Sequence, residues 1–147
     1  MVLLIDVTGE EEVQAALRAA RGKLTGAQMQ SALVAGAAPV MNAAKRNAPA
    51  LTGTLRRSIH ILAQSPREVA VGTDLVYAAA QEFGATIVPV NATYLRFEVG
   101  GQVVFTKGPV HIPAHPYMRP AFESERGAAV REVAAAVRQM IAAGGRG

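Results

Sequence analysis

Apolar and polar positions change period several times along this chain, and each change predicts an element. Leu3, Ile5 and Val7 alternate with Leu4 and Asp6, a strand pattern, and Thr8 with Glu11 has the capping-box spacing that opens a helix. Val13, Ala16, Leu17 and Ala20 recur every three or four residues along it, and Gly22 is a natural stop. Thr25 and Gln28 repeat the cap signal, opening a second helix to about Arg46, with Pro39 expected to bend or divide it near Ala38. After Pro49 the texture shifts to short apolar runs. Ser58 to Ala63 and Glu68 to Val71 read as strands joined by the turn Gln64-Ser65-Pro66. Asp74 is placed to cap a short helix, Leu75 to Phe83, closed by Gly84 in the αL conformation. Ile87, Leu95, Phe97, Val99, Val103 and Phe105 then mark strands, with Gly100-Gly101 at a hairpin turn and Leu95, Phe97 and Val99 on the face expected to meet the core. Pro109, Pro113 and Pro116 predict an extended, exposed arm over 106 to 117 without ladder bonding. Pro120, at N1, starts a last helix running to about Ala143.

The fold class expected from this order is α+β: a small, mostly antiparallel sheet with a long helix before it and a long C-terminal helix after it. No repeat or linker divides the 147 residues, so a single domain over 1–143 is expected, with 144–147 as a flexible tail. Half the residues are hydrophobic but only 5% aromatic, and 29 are alanine, so the core must be built from small side chains on closely packed helices. Cysteine is absent, which excludes a disulfide scaffold, a thiolate metal site and a cysteine nucleophile. The uncharged stretch Leu24 to Ala44 is long enough to cross a bilayer. Its glutamines, Asn42, Pro39 and many alanines argue against a span, and the apolar start lacks the features of a signal peptide. The expectation is a protein made in the cytoplasm with no membrane contact.

Candidate chemistry is sparse. The only aspartates, Asp6 and Asp74, are far apart, and no phosphate-binding glycine loop, nucleophile elbow or zinc-protease motif occurs. His111 and His115 could hold a metal with Glu82 or Glu123, but Pro113 between them makes a shared helical face improbable, and surface or interface histidines are the better reading. His60 reads as a half-buried strand histidine. Lys45-Arg46 and Arg56-Arg57 could form a positive patch, with DNA binding as an alternative function. No aromatic residues are interleaved for base stacking, so solvated charge is the ordinary explanation. No enzyme activity and no cofactor are expected.

Several blocks nonetheless recur in a recognisable order: Ala44-Lys45-Arg46-Asn47-Ala48-Pro49; Thr52-Gly53-Thr54-Leu55-Arg56-Arg57-Ser58-Ile59; Val71-Gly72-Thr73 with Tyr77-Ala78; Glu82-Phe83-Gly84; and Pro116-Tyr117-Met118-Arg119-Pro120-Ala121-Phe122. Over roughly residues 26 to 140 the chain resembles the tail-completion family of long-tailed bacteriophages, labelled the gene-product-ten tail-component family, while Met1 to Gly22 does not align. The resemblance implies a structural protein of the virion neck that joins head to tail in a ring of six. Its neighbours would be connector or stopper proteins and tail-tube or terminator proteins, and genomic DNA would pass through without sequence-specific binding. A tail terminator capping the tube is the alternative. The family brings no catalytic residues. Pro49, Thr52, Gly53, Tyr77, Phe83, Gly84 and Pro120 have structural explanations as turn, cap and packing residues. Arg56, Glu82 and Arg119 are the polar exceptions, and an Arg–carboxylate bridge is one expectation for them. Ring contacts are expected at the hairpin through Leu95, Phe97, Gly100 and Gly101, and at the arm through Val110, Ile112 and Tyr117, which should be exposed.

Overall fold

A computed structural model describes residues 2–4, 11–49, 53–91, 93–99 and 101–144. Helices α1 (Glu11–Ala20), α2 (Gly26–Asn47) and α3 (Thr54–Ser58) follow a first strand, β1 (Val2–Leu4). Strands β2 (His60–Ser65) and β3 (Glu68–Gly72) precede α4 (Ala78–Phe83) and β4 (Ala85–Ile87). The hairpin β5 (Leu95–Val99) and β6 (Gln102–Thr106), then β7 (Val110–Ile112) and α5 (Met118–Gly144), complete the order. The α+β class holds, with long helices on both sides of the strands. The strands form three antiparallel pieces rather than one sheet: β1-β3-β2, β4-β7 and β5-β6.

Helix α2 begins as its sequence dictates. The Thr25 hydroxyl accepts the Gln28 N–H at 3.3 Å and Gln28 Oε1 accepts the Thr25 N–H at 2.9 Å, a complete capping box. The helix is not divided at Pro39. Gly36, Ala37 and Val40 around the proline are all buried, and packing of that face outweighs the roughly 3 kcal/mol a helical proline costs. The earlier cap at Thr8, with Ile5 and Val7, lies outside the described residues, as do 145–147; Gly144, expected in a flexible tail, ends α5.

The core forms where the α2–α5 pair meets β3. Val40, Ala44, Leu55, Ile59, Val71, Ala78, Tyr117 and Met118 make one cluster, and Ala20, Ala32, Val133 and Val137 extend it towards α1. Small residues let the two helices approach closely: a Cβ at Gly36 would overlap Val133 Cγ2 and lie 2.9 Å from the Ala129 carbonyl oxygen. Arg46 and Glu125, 3.2 Å apart, pair across the same helices. The central strand β3 is buried from Val69 to Gly72, and a bulge between Ala63 and Ser65 breaks its register with β2. Among the described residues, no helix is long and apolar enough to cross a membrane.

The turn region differs from expectation in three places. Residues 54–58, partly read as strand, form α3, entered through Gly53 at φ +67°. Helix α4 starts at Ala78, not Leu75, and Asp74 does not cap it; the Thr73 hydroxyl instead accepts the Leu75 N–H at 3.2 Å. Gly84 has φ +74° and ψ 165°, which is not αL but a region essentially confined to glycine.

Candidate functional site

The helix α4 is amphipathic in an unusual sense. Ala78 and Glu82, four residues apart, share its buried face, while Tyr77 and Phe83 are exposed. A carboxylate with 3% of its surface accessible therefore stands where the pattern calls for an apolar side chain. It is held by backbone amides. Glu82 Oε2 accepts the N–H groups of Tyr117 at 2.7 Å and Met118 at 2.9 Å, and Oε1 accepts that of Arg119 at 3.0 Å. The first four N–H groups of a helix lack intrahelical acceptors. For α5 these belong to residues 117–120: Glu82 takes three, and Pro120 has no N–H to satisfy. The carboxylate also faces the positive end of the helix dipole, a favourable position for negative charge.

This arrangement corrects the expectation of an Arg–carboxylate bridge. Both Glu82 oxygens are occupied by main chain, and Arg56 and Arg119 are exposed on α3 and α5. Tyr117 is corrected as well: expected on the surface, it is fully buried. Its carbonyl accepts Asn47 Nδ2 at 3.4 Å, and its hydroxyl has no partner among the described residues. Burial, helped by the negative charge of Glu82 and by Tyr77, pushes the phenol up to about 12.

The arm before Tyr117 is not free. Pro109 and Pro113 leave three residues between them, enough for β7 to pair with β4: Ala85 with Ile112, Thr86 with His111, Ile87 with Val110. Prolines shorten the ladder here without abolishing it. His111 Nδ1 lies 2.9 Å from the Thr86 hydroxyl, and the His115 N–H donates to the Gln81 carbonyl at 2.8 Å. Gly84 permits the crossing, since a Cβ there would sit 2.9 Å from the Ile112 carbonyl oxygen and 3.1 Å from the Ala114 nitrogen. Val110 and Ile112 are consequently half-buried. The result is a clasp: α4, β4 and the returning arm fix where α5 starts.

The hairpin has the expected two-residue turn, with Val99 opposite Gln102 and Gly101 at φ +81°. Leu95 is half-buried, but Val104, on the face expected to meet the core, is 38% exposed, and Val103 and Phe105 on the other face are exposed too. Gly100, Thr52 and the Phe97 side chain lie outside the described residues. Pro49 is half-buried after α2. The basic doublets are partly engaged: Arg46 pairs with Glu125, and Arg57 donates to the Thr54 hydroxyl at 3.5 Å. His60 is half-buried, its Nδ1 2.7 Å from the Ser58 carbonyl oxygen.

Residues 11–84, half the chain, match the family described as "Bacteriophage HK97-gp10, putative tail-component". The chain belongs to this family. No curated protein and no solved structure matches it at a significant level. The tail-component match begins in α1, within the segment that resisted alignment by motif. It ends at Gly84, so it takes in Glu82 but not the Pro116-to-Phe122 block that Glu82 caps. No local signal pointed to that contact, because donor and acceptor lie some 35 residues apart.

Proposed function

We propose that this tail component is a non-enzymatic neck protein that completes the tail and joins it to the head as a subunit of a ring. The distribution of exposed apolar surface supports this reading. Among the described residues, all ten exposed large hydrophobic side chains lie between Val76 and Phe105, with Val76 98% and Val90 82% accessible. Scattered apolar exposure is ordinary, and its confinement to one stretch of chain supports a contact surface there. The hairpin within that stretch presents apolar side chains on both faces, and an isolated two-stranded hairpin is marginal in water. A neighbouring subunit or virion protein that covers it supplies the missing layer. The buried carboxylate supports a structural role, since both oxygens of Glu82 are taken up by the α5 amides. By family resemblance the ring has six members, lies between connector and tail-tube proteins, and lets DNA pass without reading its sequence.

The test uses Val104→Ser with Phe105→Ser, both on exposed positions. The subunit should fold with an unchanged melting transition, while particles accumulate as filled heads beside unattached tails. Normally joined particles would overturn the role assigned to this surface, and overlong tails would identify a terminator instead.

A further inference from the structure

At the end of α2 remote from Glu82, the α1–α2 turn and the β2–β3 turn enclose a cleft of about 250 Å3. Its walls are fixed to one another. Gln30 Nε2 donates to the Ser65 carbonyl at 3.2 Å, and Gly26 lies so close to Pro66 that a Cβ would sit 3.1 Å from the proline Cβ. Ala20, Leu24, Met29 and Pro66 supply apolar lining, and Arg21 and Arg67, both exposed, stand in the same cleft. Arg18 and Lys23 are exposed close by in sequence. Among the described residues, no carboxylate lines the cleft and neither Arg21 nor Arg67 has an ion-pair partner. Thr25 and Gln28 satisfy one another in the capping box, so the guanidinium groups are the polar recognition elements.

We propose that this cleft docks an acidic, apolar peptide segment of a neighbouring virion protein, with carboxylates on Arg21 and Arg67 and an apolar side chain against Leu24 and Met29. The proposal rests on the reading of the chain as part of a virion assembly, and it concerns a surface separate from the Val76-to-Phe105 stretch. Charge complementarity selects an anion, since two arginines line the cleft and, among the described residues, no carboxylate is paired with either. The apolar lining selects a peptide over duplex DNA. A sugar–phosphate backbone carries charge along a convex surface and brings no apolar group to fill such a depression. An exposed ion pair contributes little alone, so affinity depends on charge and apolar contact together.

The experiment pans random heptapeptides displayed on a carrier against the whole chain and against the Arg21→Glu/Arg67→Glu variant, whose melting transition should be unchanged because both side chains are exposed. The wild-type chain should enrich peptides with Asp or Glu beside Leu, Ile or Met, and the variant should not. For one enriched peptide, synthesised and labelled, anisotropy should show affinity falling roughly two- to fivefold for Arg21→Gln or Arg67→Gln alone and further for the double reversal. Met29→Ala should weaken it without changing its salt dependence. The proposal is overturned if no such peptides are enriched or if the variant enriches the same ones. Displacement of the peptide by a DNA duplex or by inorganic phosphate as effectively as by unlabelled peptide also overturns it. Normal joining of heads to tails by particles carrying the double reversal also overturns the proposal, because the occupant is then no virion protein, whereas failure of the ring reading shows in the hairpin variant with peptide binding intact.

Discussion

Replacing Glu82 with alanine should destabilise the protein by about 3–5 kcal/mol, far more than a typical helix cap. The magnitude follows from the three amides it serves. Those of Tyr117 and Met118 are buried and that of Arg119 partly so, and an orphaned buried donor costs roughly 1–3 kcal/mol. Water can reach the third amide more easily, so its share is smaller. Loss of the charge at the α5 N-terminus adds up to about 2 kcal/mol, offset by the relief of no longer keeping a carboxylate out of water. Glu82→Gln preserves shape and one accepting oxygen but turns an NH2 group towards one amide, so it should cost about 2 kcal/mol. Urea denaturation measures both, with an unchanged slope if native and unfolded states keep their surface difference. Hydrogen exchange at residues 117–119 should accelerate in both variants before global unfolding. A cost below about 1 kcal/mol for Glu82→Ala would refute the account, because it would mean that α5 starts equally well with its amides unpaired.

Gly36→Ala tests the approach of α2 and α5. Helix propensity alone predicts stabilisation by about 1 kcal/mol, but the added methyl meets Val133 and the Ala129 carbonyl, so a net loss of about 2 kcal/mol and a melting midpoint lower by roughly 5 °C are expected. Val133→Ala should remove much of the clash, and additivity in the double variant would argue against it. Tyr117 predicts an alkaline instability. The unfolded chain loses the phenolic proton near the usual 10 and the native protein only near about 12, so this contribution is complete below pH 10 and is lost as pH rises through that interval. It amounts to at most about 2–3 kcal/mol. Tyr117→Phe should be neutral or slightly stabilising at pH 7, since the hydroxyl has no partner among the described residues, and should abolish the late step in a tyrosinate absorbance titration. Persistence of that step in the variant would assign it to another tyrosine.

The signals legible in the sequence act within about one helical turn or one hairpin. Thr25 and Gln28 are three residues apart, and their mutual bonds depend on little else, so the start of α2 could be read directly. The turn glycine Gly101, between the paired Val99 and Gln102, is legible in the same local way, and Pro120 marks the start of α5 to within two residues. The abundance of alanine likewise announced close helix packing, although not which helices would be partners. Tertiary structure decided the rest. Whether Tyr117 faces solvent, whether the proline arm pairs with β4, and what the Glu82 carboxylate binds all depend on bringing residues near 80–87 against residues near 110–119. In the sequence Glu82 suggests an arginine partner or solvated charge. Only the placement of the α5 N-terminus over it supplies amides that replace water, and the energy of that exchange belongs to a contact closed by some 35 intervening residues rather than to any local pattern.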